Sequence, residues 1–302
     1  MQRARMRSFE LERPENLAEC LDVLDRYGDS AFILAGGTAG VLALRQGTVR
    51  PAVVVDLSGV GELSSVRADA DGSVRLGAMV TAADLGRSPA VQGNFALLAD
   101  TARQLGTIAV RNAVTLGGNI CAGMPTANCP PSLAALGATL TIASARGTRQ
   151  VTMLDFPICV DRSVLAPTEI VTEVRLPGES AGMWGDVARL SANAADYSAL
   201  VLVAVCARMD QARNRWADVR IAVAGARNQP FRIHAAEQLL EQGEWDDSRI
   251  EQAARLSRAE ANLSDAHASA GYRGRLVGVA LTGILSGARR PWESSNGGGL
   301  AE

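Results

Sequence analysis

The stretch Ala31-Phe32-Ile33-Leu34-Ala35-Gly36-Gly37-Thr38 sets the reading of this chain: a short apolar run enters a glycine pair and a threonine. A second pair lies far downstream, in Thr115-Leu116-Gly117-Gly118-Asn119. Glycine has no Cβ, so a backbone carrying it can bring its N–H groups close to a ligand. A row of such amides satisfies a phosphate without any cationic side chain. Two pairs placed far apart can grip one diphosphate from two sides, with hydroxyls from Thr38 and Thr115 and the amide of Asn119 beside them. That points to a dinucleotide held without the Rossmann fingerprint. Taken singly, each pair also reads as an ordinary turn.

Working outward, residues 15–27 carry apolar positions at helical spacing in Leu17, Cys20, Leu21 and Leu24. Ala31 to Leu34 reads as a buried strand, Thr38 as the N-cap of a helix over 39–46, Gly47 as its stop, and Val53 to Asp56 as a second strand. Val53-Val54-Val55-Asp56-Leu57 followed by Gly59-Val60-Gly61 imitates a nucleotide fingerprint, but its third glycine is missing, so a strand ending in a turn is expected. Further strands are expected at Val74 to Gly77, Leu140 to Ala143 and Ile170 to Leu176. Helices are expected after Thr81, over 91–105, and from Pro130-Pro131 through Ala135.

Pro177-Gly178 to Gly182 marks a boundary. Beyond it Val187 to Leu190, Ala199 to Ala207 and Val219 to Val223 read as strands, with a turn at Gln211 to Asn214. Helical patterns follow over 233–242, 247–261 and 265–286, and a Gly/Ser-rich tail from Ser294 reads as disordered. Strands followed by helices are the mark of an α+β unit, after an opening unit of α/β type.

Composition narrows the function classes. The chain has 302 residues, 47% apolar and 21% charged, enough for two or three compact units. A net charge of −2 and 4% aromatics offer neither a field nor a stacking platform for nucleic acid. There is no lysine, which removes Schiff-base and P-loop chemistry. Cys20, Cys121, Cys129, Cys159 and Cys206 form no C-x-x-C pair, and His234 and His267 lie outside both glycine motifs. No metal site is expected, and the cysteines read as reduced thiols of a cytoplasmic protein. The N-terminus lacks an apolar core for a signal peptide, and no run is long enough to span a membrane.

These motifs, in this order, resemble the flavoprotein subunits of the molybdenum hydroxylases, the family that includes the medium subunits of carbon monoxide and nicotine dehydrogenases and the central domain of xanthine dehydrogenase. Ala35-Gly36-Gly37-Thr38 is similar to that family's first FAD-diphosphate loop. Val110-Arg111-Asn112 with Thr115-Leu116-Gly117-Gly118-Asn119-Ile120 is similar to its second. Val55-Asp56-Leu57 with Glu62-Leu63, Gly77-Ala78-Met79-Val80-Thr81, Pro125 to Pro131 and Ala166-Pro167-Thr168-Glu169-Ile170 match as well. The resemblance covers about residues 8–177 well and continues more loosely through 290.

The resemblance implies an α/β plus α+β architecture: the two-subdomain FAD-binding fold of the PCMH and CO dehydrogenase flavoprotein type, then a C-terminal α+β domain. The expected division is 1–177, with subdomains of about 1–58 and 59–177, then 183–290 and a flexible tail over 291–302. It implies FAD at Leu34, Ala35, Gly36, Gly37, Thr38, Ala39, Thr115, Gly117, Gly118, Asn119 and Asn128. Asp196-Tyr197 resembles the family's Asp-aromatic pair, which makes Tyr197 a candidate for the isoalloxazine face or else a core tyrosine. No catalytic residue on this chain is implied. The partners implied are a small [2Fe–2S] subunit and a large molybdenum-pterin subunit, assembled as a dimer of heterotrimers that sends electrons through the flavin to an outside acceptor.

The chain departs from the family's pattern at Ala39, where Asp or Ser is common, at Asn128, where many members have aspartate, and at Ala188, where a lysine is frequent. These departures favour a rival reading, an assembly scaffold that has lost its flavin. A third reading, a stand-alone FAD oxidase, requires polar catalytic groups that the sequence does not display.

Overall fold

The computed structural model describes residues 8–156, 165–192, 199–210, 215–243 and 245–296, with side chains described only as far as 288. The chain opens with β1 (Glu10–Glu12), α1 (Leu17–Tyr27), β2 (Ala31–Leu34), α2 (Gly40–Gln46) and β3 (Val53–Asp56). The three strands form a parallel sheet in the order β1-β3-β2. Asn16 caps α1 by accepting from Glu19 N–H at 2.9 Å. The apolar stripe of α1, Cys20, Val23 and Leu24, packs with Val53, Val55 and Leu57 into a small core.

A second layer follows: β4 (Val66–Ala68), β5 (Val74–Gly77), α3 (Ala82–Arg87), α4 (Pro89–Asn94), α5 (Ala96–Arg103), α6 (Ile108–Ala113), α7 (Leu116–Cys121), α8 (Cys129–Ala135), β6 (Thr139–Ser144), β7 (Gly147–Thr152) and β8 (Ile170–Leu176). Its five strands are antiparallel in the order β4-β5-β8-β6-β7. Val74, Leu76, Leu140, Ile142 and Val174 of this sheet are buried with Leu97, Leu98 and Leu133 of the helices. Each buried leucine contributes about 1.5–3 kcal/mol.

The last part comprises β9 (Trp184–Ser191), β10 (Ala199–Asp210), β11 (Arg215–Ala224), β12 (Phe231–Arg232), α9 (His234–Glu241), α10 (Asp247–Ala259) and α11 (Ala270–Asn296). The sheet runs β12-β11-β10-β9 and is antiparallel. Strand β10 shows why its sequence is apolar from Ala199 to Ala207. Val201, Val203, Val205 and Ala207 face α9, α10 and α11, while Ala204 and Cys206 join the core around α5 and α8. Small residues on that second side let α8 approach, and Cys206 Sγ reaches Ala135 O at 3.1 Å. One continuous core therefore joins the last sheet to the helices before it.

Helix α9 also covers an edge. Glu241 accepts from Val219 N–H and Glu237 from Ile221 N–H, both at 2.8 Å. Four helical residues advance about 6 Å and two strand residues about 6.8 Å, so carboxylates at i and i+4 match alternate strand amides. Otherwise those amides would remain open on a strand edge.

The outline departs from expectation in four places. Helix α2 begins at Gly40 with Ala39 as its N-cap, and no side chain caps it, so Thr38 is not the cap; Gly47 does close it, in the left-handed region. The expected helix over 91–105 is two helices broken at Phe95, whose φ and ψ of −135° and 50° leave the helical region. The last helix starts at Ala270 and runs to Asn296, into the tail expected to be disordered. Strands β1, β4, β7 and β12 were not foreseen. The turn expected at Gln211 to Asn214 lies outside the described residues, as do Cys159 and Tyr197.

Candidate functional site: a cleft between two glycine loops

Strand β2 carries the chain to Gly36, where the backbone passes directly over the end of α6. A Cβ at Gly36 would stand 1.7 Å from Ala113 O. Gly37 then turns the chain with φ of +71°, a conformation that side chains other than glycine's resist. Val41 N–H bonds Gly37 O at 3.1 Å and starts α2. Between these points the amides of Gly36, Gly37, Thr38 and Ala39 have no acceptor among the described residues. Gly36 and Gly37 are half-buried and Thr38 and Ala39 exposed, and four consecutive open donors form a ready anion cradle.

The second glycine loop is different. Leu116 N–H bonds Val80 O at 2.9 Å, Gly117 N–H bonds Ala78 O at 2.8 Å, and Asn119 N–H bonds Thr115 O at 2.9 Å. Gly118 N–H is taken by Thr115 Oγ1 at 3.2 Å. All four amides are occupied, so the expected pair of amide cradles is a single one, in the first loop. Gly117 is glycine because a Cβ would sit 2.8 Å from that of Ala78. The second loop contributes shape and the buried hydroxyl of Thr115, whose proton is free to donate while its oxygen accepts from Gly118.

Between the loops lies a cleft of about 560 Å³, within the size range of ligand sites. Leu34, Ala35, Gly36, Gly37, Thr38, Ala39, Thr115, Gly117 and Gly118 line it. Its opening explains why β2 is half-buried along its whole length rather than buried. Asn119 and Asn128 are not among the lining residues. Asn119 Oδ1 accepts from Cys129 N–H at 2.9 Å and secures the start of α8, and Asn128 precedes that helix without capping it. Sequence reasoning missed Phe32, Met79 and the wall residues Leu165, Ala166, Pro167 and Glu169 as site residues. The segments around Met79 and Glu169 match family motifs, but nothing in their residue types announces a wall.

The described lining contains two carboxylates, Asp29 and Glu169, and no arginine. Arg149 holds Glu169 with Nε on Oε1 at 2.7 Å and Nη2 on Oε2 at 2.9 Å. Those hydrogen bonds, helped by Ala166 N–H and opposed by burial, keep the Glu169 carboxyl below the usual range. Burial pushes the thiols of Cys129 and Cys206 up to about 12, which makes them poor nucleophiles and ligands. No cluster of metal-ligating side chains occurs among the described residues, and none of their helices is long and apolar enough to cross a membrane. The donor set suits an anionic dinucleotide held through its phosphates by main chain.

Residues 7–179 match the model of the FAD binding domain in molybdopterin dehydrogenase, and residues 188–288 match the CO dehydrogenase flavoprotein C-terminal domain. The chain belongs to this flavoprotein family. It is thus an FAD-binding medium subunit of the molybdenum hydroxylase type, with the family's two-part mixed α/β fold. It is 33% identical over 280 residues to the nicotine 6-hydroxylase medium subunit of Paenarthrobacter nicotinovorans, covering 91% of this chain and 96% of the relative. It is 26% identical to the carbon monoxide dehydrogenase medium chain of Afipia carboxidovorans, over 91% and 94% of the two chains. Among solved structures, quinoline 2-oxidoreductase from Pseudomonas putida 86 superposes with a TM-score of 0.87 at 29% identity, over 95% of this flavoprotein and 99% of the other chain.

Proposed function

We propose that this chain holds FAD in the cleft between the glycine loops and relays electrons within a molybdenum hydroxylase complex. The observation that carries the reading is the row of four open amides, Gly36 to Ala39, in residues that line a cleft whose described lining has no cationic side chain, in a chain of this family. A diphosphate satisfies those donors, and charge-assisted bonds of this kind contribute about 1.5–3 kcal/mol each. Thr38 and Thr115 add hydroxyl donors, and Leu34, Ala35, Gly117 and Gly118 shape the cleft around the nucleotide. Held there, FAD would supply the redox chemistry that links an electron donor to an acceptor.

This chain's own residues bind, orient and shield the cofactor. The described cleft has no nucleophile–base pair, in keeping with substrate hydroxylation on another polypeptide. We assign that step to a large molybdenum-pterin subunit and the electron supply to the [2Fe–2S] clusters of a small subunit, in a cytoplasmic dimer of heterotrimers. Tyr197 is our candidate for the isoalloxazine face. Relatives named for nicotine, caffeine and carbon monoxide support the multi-subunit dehydrogenase reading. Denaturing the purified complex and quantifying released flavin by chromatography tests it. FAD near one per copy of this chain is the expected result, and an active complex that releases none contradicts it.

A further inference from the structure

The turn over residues 165–169, leading into β8, supplies Leu165, Ala166, Pro167 and Glu169 to a wall of the cleft, and it is braced from the side. Glu169 closes the turn twice, its amide donating to Ala166 O at 2.8 Å and its carboxylate accepting from Ala166 N–H at 2.9 Å. Arg149 grips the same carboxylate at both oxygens. It stands on β7, with β6 between it and β8, and no described residue of β7 lines the cleft. The Glu169 side chain is only 16% exposed, and a carboxylate so placed repels a neighbouring anion strongly unless it is paired.

We propose that the Arg149–Glu169 pair is a latch on cofactor release. It fixes the 165–169 wall against the bound nucleotide and cancels a carboxylate that would otherwise repel the phosphates. The inference rests on the cleft being the FAD site, and it makes Arg149 a positioning residue acting through Glu169. Three variants of the native complex separate charge from geometry. R149M removes the guanidinium and leaves the carboxylate uncompensated. R149K keeps the charge and loses the two-pronged fork. The double variant R149M/E169Q removes both charges.

The test is the rate of FAD release, followed as the rise of flavin fluorescence after dilution, alongside unfolding of each variant by circular dichroism. R149M is expected to release FAD about tenfold faster than wild type, a change of the size an interaction of about 1.4 kcal/mol produces. R149K should fall between the two, and the double variant should release more slowly than R149M. A merely structural pair would shift unfolding without that charge-dependent order. Release from R149M at the wild-type rate overturns the latch, and so does release from the double variant at least as fast as from R149M. If R149M does not fold, R149K against wild type makes the same comparison, and equal rates overturn the latch. A wild-type complex without FAD overturns the reading of the cleft and the latch together, whereas FAD held equally long by wild type and variants overturns the latch alone.

Discussion

Gly36 lies against the carbonyl of Ala113, so close that a Cβ would stand 1.7 Å from the oxygen. The first glycine loop is thereby seated on the end of α6, next to the second loop. Replacing Gly36 by alanine forces backbone apart and should cost about 3 kcal/mol. Thermal unfolding of G36A should shift well below wild type, and its flavin content should fall with it.

Gly37 invites a gentler variant. Its φ of +71° is strained for alanine, and the new Cβ would meet Val41 Cγ2 at 3.2 Å. The strain is about 1–2 kcal/mol, small beside the collision at Gly36. G37A should therefore fold and bind FAD more weakly, as read by equilibrium titration of apoprotein.

Thr115 both caps α7 and occupies the Gly118 amide. T115A should lose about 1 kcal/mol of stability and a hydroxyl donor facing the cleft, while T115S should retain both. Chemical denaturation together with FAD titration of the two variants checks the pair of effects.

Much of this site was legible because its physics is local. An apolar run ending in Gly36-Gly37 identified the strand and the turn, and Gly47 marked the helix stop. Thr38 misled because its position fits a cap, yet Val41 N–H is already bonded to Gly37 O. The occupied amides of Leu116 and Gly117 were not legible, since their acceptors, Val80 O and Ala78 O, come from a distant segment. Val91, Phe95, Leu98 and Ala102 are all buried as their spacing foretold, but a helical stripe survives a one-residue break at Phe95. Strand β7 is nearly all exposed and has no alternation to read; pairing with β6 alone defines it.

Glu237 is a buried hub. It accepts from Ile221 N–H, from both prongs of Arg232 at 2.9 Å, and contacts His234 Nδ1 at 2.9 Å. E237A strands an amide and a partly buried guanidinium, with a loss of about 3–5 kcal/mol. E241A removes one amide partner and should cost about 1 kcal/mol. Urea unfolding of the two variants should show that order.

Asp265 gives the last part of the molecule an acid limit. Burial raises its pKa, but hydrogen bonds from Arg273 and from the amides of His267 and Ala268 outweigh it, lowering the value from 3.8 to about 2. A folded-state pKa below the unfolded one contributes stability that is fully present above about pH 4. That stability is lost as pH falls toward 2. D265N should be less stable than wild type at pH 7, and the difference should shrink through that window in denaturant titrations at stepped pH.

The most direct test of the central claim is an electron density or cryo-microscopy map of the native complex at the first glycine loop. The account predicts an FAD diphosphate within hydrogen-bonding distance of the amides of Gly36, Gly37, Thr38 and Ala39, with the amides of Leu116 to Asn119 still bonded to protein. A cleft filled by side chains, or a diphosphate resting on the second loop's amides alone, would contradict it.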